Sequence, residues 1–313
     1  MSRRGWWLFA TMSVIWGVPY LLIKVADSGV SPPVLVLARV TIGAALLLPI
    51  AIRRRELTVL LPYWRWLVLF ALVEIITPWL LLSEAETRLS SSLSGLLIAS
   101  VPILVAVFSR LTGGQDRLTA VRWTGLFTGL AGVGLLVADG GTHGDVASIA
   151  EVLMVAVCYA VGPLIVARKL SELPSLGMTA ACLAFAAVVY APLAAATWPA
   201  HMPSAKVLVS LASLAVVCTA IAFVLFFALI AEAGPARASV ITYVNPAVAV
   251  ALGIGILGER LTIAMAVAFV LILGGSVLAT RPSHQAGHPA VAAPEPAEVA
   301  ASGYRAARPG GPD

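Results

Sequence analysis

Charge is what this sequence has least of. Of its 313 residues only 11% are Asp, Glu, Lys or Arg, against 60% hydrophobic, and the mean hydropathy is +0.98. A soluble domain carries roughly 25% charged residues. A globule of this size would lack the polar surface to dissolve, so lipid is the expected solvent. Cysteine is scarce too. Cys158, Cys182 and Cys218 all fall in apolar runs, and an odd number without C-x-x-C spacing argues against disulfides or a zinc site. The four histidines, His143, His201, His284 and His288, lie outside those runs, and no aspartate lies within them. There is no H-E-x-x-H helix, no paired-aspartate cluster and no G-x-x-x-x-G-K-[ST] loop. No cofactor or metal is therefore expected, and ATP-driven pumping by this chain alone is disfavoured. The net charge of +5 could suit nucleic acid, but the basic residues sit in short loops at alternate run ends, so no nucleic-acid partner is expected.

What is present is a series of ten apolar runs, at 6–26, 34–52, 64–84, 90–110, 119–138, 147–167, 176–197, 206–230, 236–257 and 262–280. About 20 apolar residues make a helix that crosses the ~30 Å hydrocarbon core, and a backbone in lipid must satisfy its own hydrogen bonds. The expected fold is an all-α integral membrane protein of ten transmembrane helices. Arg3 and Arg4 before the first run resemble a signal peptide, but the run continues to about Ala26 without a cleavage site and reads as a retained helix. Residues 281–313, rich in Pro, Ala, Gly and Ser, read as a disordered cytoplasmic tail.

Lys and Arg set the orientation. With the N-terminus inside, fifteen basic residues fall in cytoplasmic segments and three, Arg88, Lys206 and Arg260, in outer ones. Both termini are expected to be cytoplasmic. The ten runs divide into two fives, 1–138 and 139–280. Five is odd, so the second set enters the membrane inverted, an architecture of transporters with the substrate site between the halves. The duplication shows at particular residues. Pro19 is followed five positions later by Lys24, and Pro163 by Arg168. Ser100-Val101-Pro102 precedes Gly114-Gln115-Asp116-Arg117-Leu118, as Val244-Asn245-Pro246 precedes Leu257-Gly258-Glu259-Arg260-Leu261.

Trp16-Gly17 followed by Lys24, Arg39 in the second run, and the Pro-then-Gly-Glu-Arg-Leu pattern resemble the EamA-like members of the drug/metabolite transporter superfamily. The resemblance covers about residues 6–280 and departs from the family pattern at Gln115-Asp116. It implies a ten-helix inverted-repeat carrier of small metabolites, amino acids or related compounds. It further implies export by alternating access, and residence in the inner or plasma membrane.

Glu74 stands near the middle of the third run, among Val73, Ile75 and Ile76. Charge at that depth is costly and faces the bundle interior. Glu74 is a candidate substrate ligand and proton-coupling group; the alternative is a structural glutamic acid bonded to a neighbouring helix. Trp16, Tyr20 and Lys24 share a helix face at i, i+4, i+8. Trp16 and Tyr20 are candidate substrate contacts; Lys24, with Arg39, is a candidate gating or bracing residue, facing the solute or snorkelling to the outer surface. Arg39 could clamp a substrate carboxylate or brace the bundle against Glu84 or Glu86. Tyr159, Tyr243 and Asn245 complete the candidate cavity set. Pro19, Pro78, Pro102, Pro163 and Pro246 are candidate kinks, since each removes an N–H from the ladder. Gly125, Gly129, Gly132 and Gly134, and the small residues from Ser90 to Gly95, read as helix-packing surfaces. The expected partners are a small-molecule substrate, the bilayer and protons. A competing class is an intramembrane enzyme acting on a lipid-linked substrate, for which only Glu74 is a credible acid. A channel is disfavoured because pores use rings of charge from several subunits.

Overall fold

The computed structural model describes residues 1–111, 119–143 and 146–280, and the described residues are helical with no strand. The Gly114–Leu118 segment and the proposed cytoplasmic tail lie outside the described residues. Eight helical stretches are long and apolar enough to cross a membrane. They are α1 (Arg3–Ala26), α2 (Pro32–Arg53), α3 (Thr58–Arg88), α4 (Ser91–Phe108), α5 (Ala120–Ala138), α6 (Val146–Leu170), α7 (Ser175–Ala196) and α8 (Ala205–Ala233). Two shorter apolar helices follow, α9 (Ile241–Leu257) and α10 (Ile263–Ala279). The expected spans differ at several ends, two of which move charged or polar residues. α3 runs on to Arg88, so Glu86 and Arg88 are helical rather than in a connector. The helix of α5 continues to His143, placing one histidine of an expected loop on a helix.

Large apolar side chains point outward all around, Val188 at 71% and Val270 at 69% exposure among them. Water would not tolerate this surface and lipid does. Inside, small residues set how closely helices approach. A Cβ on Gly125 or on Gly275 would lie 2.5 Å from a backbone nitrogen of the facing helix, so α5 and α10 touch backbone to backbone. Gly129 and Gly132 belong to the same seam, but Gly134 faces open space. The expectation that Gly134 packs is corrected: it sits two residues beyond Gly132, about 200° round the helix and off the seam.

The prolines act differently from one another. Pro19 restarts α1 after Gly17. Pro102 opens the second half of α4, which breaks between Ile98 and Val101, rather than kinking a helix interior. Pro246 lies inside an unbroken helix. Pro78 follows a π-helical turn, Leu72–Ile76, and Pro163 precedes another, Val166–Leu170. A third π turn, Val216–Ile221, interrupts α8. Such turns leave carbonyls to be satisfied by other groups; the Tyr190 hydroxyl donates to the Ile76 carbonyl across the α3–α7 contact.

Candidate functional site

The π turn in α3 carries Glu74. Its carboxylate lies over Gly162 of α6, where an added Cβ would come within 1.8 Å of Oε2. That oxygen is shut off from solvent and has no hydrogen-bond partner. Tyr159, one turn before Gly162 on the same face, is in electrostatic range of both Glu74 and Arg39 and lies beside Trp79. Arg39 of α2 lies with its guanidinium 3.7 Å from the Trp79 ring centroid. Its Nε donates to Thr219 Oγ1 at 2.9 Å. Thr219 belongs to the π turn of α8, where its hydroxyl also donates to the Leu214 carbonyl. The two bulged turns thus deliver an acid and a hydroxyl to one buried region. Arg39 does not brace Glu84 or Glu86, because its cation is spent on Trp79 and Thr219. Trp79, Thr219 and Gly162 escaped the sequence reading; Trp79 alone left a signal, as a large polar-edged aromatic five residues after Glu74.

Lys24 reaches from α1 to the end of α3. It does not snorkel: Nζ donates to the carbonyls of Leu89, at 2.8 Å, and Glu86. A cation there caps the carbonyl end of α3, where the helix dipole is negative. Tyr20 lies buried between this contact and the Arg39 region, against Gly95 of α4.

The remaining candidates are held elsewhere. Trp16 sits in an aromatic group with Phe226, 4.6 Å between centroids, and Phe223 of α8. The Tyr243 hydroxyl meets Thr280 Oγ1 at 2.6 Å, tying α9 to the end of α10. With its amide turned so that the nitrogen faces two acceptors, Asn245 donates to the carbonyls of Ser13, 3.1 Å, and Ile241, 2.9 Å, and so bridges α9 to α1. A hollow of about 300 Å³ lined by Tyr63, Trp66, Arg168 and Lys169 lies at the π-turn end of α6, away from Glu74.

An Arg from α2, a Glu and a Trp from α3 and a Tyr from α6 make a polar centre in an apolar bundle. The profile of the EamA-like transporter family matches residues 3–138 and, a second time, residues 147–281. The chain belongs to the EamA-like transporter family. It is similar to YedA, an uncharacterized inner membrane transporter of Escherichia coli (strain K12), with 29% identity over 280 residues, 87% of this chain and 89% of YedA. It is 27% identical over 272 residues to YvbV, an uncharacterized transporter of Bacillus subtilis (strain 168), covering 85% and 88% of the two chains. A solved crystal structure superposes with a TM-score of 0.63 over 90% of this chain and 97% of its own, at 23% identity, and so shares the fold.

The Gly-Glu-Arg-Leu segment on which the EamA-like resemblance rests has a physical task here. Gly258 ends α9 in the left-handed region, φ 68°, which glycine adopts without strain. The turn aims Glu259 at the start of α4. Its Oε1 accepts from Ser91 N at 2.8 Å and Ser91 Oγ at 2.9 Å; its Oε2 accepts from Ser92 N at 2.9 Å and from Ser92 Oγ. A carboxylate is thus a cap supplied from another helix, matched to the positive helix terminus. Glu259→Ala strands all four donors. The expected cost is roughly 3 kcal/mol, read as a lower Tm in detergent, with Glu259→Gln falling between it and the wild type. A Tm unchanged in the alanine variant would show that water replaces the cap.

Proposed function

We propose that this membrane transporter is a secondary carrier of small amphipathic metabolites, amino acids or related compounds. It would work by alternating access between two inverted five-helix repeats, with both termini cytoplasmic and net flux outward. The π turns Leu72–Ile76 and Val216–Ile221 begin 144 residues apart, as do the two matches to the family profile. Pro19 and Pro163, and Pro102 and Pro246, keep the same offset. This spacing supports the two-repeat reading. The polar groups do not follow it: the positions matching Glu74 and Arg39 are Cys218 and Leu183. A symmetric frame would then carry a one-sided site.

The observation that carries the substrate reading is the buried Oε2 of Glu74, which lacks a partner, in electrostatic range of Tyr159 and so near the Arg39–Trp79 stack. A buried acid without a partner suits the cationic amino group of such a solute, and the aromatic side chains beside it suit the apolar part. Glu74 is also the proposed coupling group, exchanging its proton as substrate moves. Purified protein is first screened by thermal shift against amino acids and related metabolites, since a ligand of the folded state raises Tm by mass action. The solute so found is then followed into liposomes across a pH gradient. Glu74→Gln keeps the shape and removes the titration, so it is expected to lose proton-driven accumulation while retaining exchange. Equal accumulation and an unchanged pH profile in the variant would reduce Glu74 to a structural residue.

A further inference from the structure

We propose that Glu86 and Asp27 form a proton-binding site, locked under Lys24, at the junction of α1 and α3. It is distinct from Glu74, twelve residues and about 18 Å away along the same helix. α1 presents Tyr20, Lys24 and Asp27 at i, i+4 and i+7, and α3 presents Trp79, Ser83 and Glu86 at the same spacing; positions so spaced share a face. The two faces are joined where Lys24 meets the Glu86 and Leu89 carbonyls.

The carboxylates there are left over. Glu86 is fully buried, and neither of its oxygens has a hydrogen-bond partner. Both oxygens of Asp27 and the hydroxyl of Ser83 are likewise enclosed and unpartnered. An ionised carboxylate stripped of water and donors is costly. The surrounding charges do not relieve it. On α3 itself Glu84 pairs with Arg88 at 3.4 Å, and Arg88 reaches Ser148 of α6. α6 brings a further acid, Glu151, to this end, and that residue has interactions of its own. Glu259, beside α4, is within electrostatic range of Glu86 but is saturated by the serine donors. From α2 the nearest cation, Arg39, acts on Tyr20 rather than on Glu86. What remains is Glu86 and Asp27 against Lys24, whose N–H groups are given to carbonyls.

One proton corrects that imbalance, because a protonated carboxyl is neutral and can itself donate. A metal ion fits less well: among the described residues no group of three or more His, Cys, Asp or Glu is placed to hold one. Asp27 lies just past the apolar span, and burial pushes its carboxyl up to about 8, with Lys24 opposing and Glu84 adding to the rise. Loss of the proton leaves two negative charges that draw Lys24 off the α3 carbonyls. The α1–α3 junction thereby becomes a latch that answers to pH.

The test uses the full chain reconstituted in lipid, without substrate, so its outcome is independent of the carrier mechanism and of Glu74. Infrared spectra are taken as pH is raised from about 5 to about 10. The protonated-carboxyl band is expected to lose intensity across this range. Glu86→Gln should remove part of that change, and Glu74→Gln should leave that part in place. Should Glu86→Gln fail to fold, Asp27→Asn gives a second reading through stability. A raised acid is protonated longest in the folded state, so Asp27 contributes a fall in wild-type Tm as pH rises from the ordinary carboxyl range towards about 8, where that contribution ends. Asp27→Asn should flatten that fall. A titrating band unaltered in Glu86→Gln, or a Tm profile in Asp27→Asn that tracks the wild type, would overturn the proposal.

Discussion

Gly275→Val is expected to leave little folded protein. The atoms that a Cβ at Gly275 would meet are Gly129 N at 2.5 Å, Gly125 O at 2.6 Å and Gly129 Cα at 2.7 Å. All three are backbone, so no side-chain rotation makes room and α10 must separate from α5. In lipid this separation is not resisted by hydrophobic burial, because the tails are as apolar as the helices. Association rests on close packing, which small residues permit. Overpacking a core ordinarily costs about 1–3 kcal/mol; a displacement of two whole helices should exceed the upper figure. The adjacent residue is the control. Gly274 has nothing within 4 Å of its Cβ position, so Gly274→Ala should hold or slightly raise Tm, as alanine does in a helix interior. Monodisperse yield and Tm in detergent read both variants. A Gly275→Val protein as stable as Gly274→Ala would mean that the seam is loose.

The contrast between Gly275 and Gly134 shows what could be read from residues alone. Membrane spans are local properties, so hydropathy over twenty residues finds most of them. Which glycines pack is half-local. Gly125, Gly129 and Gly132 follow the i, i+4, i+7 spacing of one helix face, and Gly134 does not, so composition misled where periodicity would have served. Partners across the bundle are not local. Arg39 and Thr219 are separated by 180 residues and Ser91 and Glu259 by 168. Each pair needs a feature with no sequence signature: a π turn that swings Thr219 inward, and a left-handed Gly258 that aims Glu259. The partners of Lys24 are hidden for a related reason. Its place near a helix end suggests snorkelling, yet the extension of α3 to Arg88 puts free carbonyls within its reach. The depth and isolation of Glu74 were legible in its apolar neighbours; the glycine that makes space for it was not.

That glycine yields the sharpest expectation about turnover. Gly162→Ala should lower transport of the thermally identified solute by about 100-fold while keeping the protein folded, since a reacting group displaced by about 1 Å can lose that much. The new methyl would meet Glu74 Oε2 at 1.8 Å, Cδ at 2.9 Å and Cβ at 3.5 Å. These atoms belong to one flexible side chain, which can swing aside, unlike the backbone obstacles at Gly275. The expected damage is therefore a misplaced carboxylate in an intact bundle. Two further variants separate this from general harm. In a Glu74→Ala background the obstacle is gone, so Gly162→Ala should add nothing to the change in Tm, and the two substitutions should be strongly coupled. Glu74→Asp in the Gly162→Ala background withdraws the carboxylate by one methylene and should restore part of the transport. If Gly162→Ala transports at the wild-type rate, or the shorter acid fails to rescue it while Tm stays high, the position of the Glu74 carboxylate over α6 is not what turnover depends on.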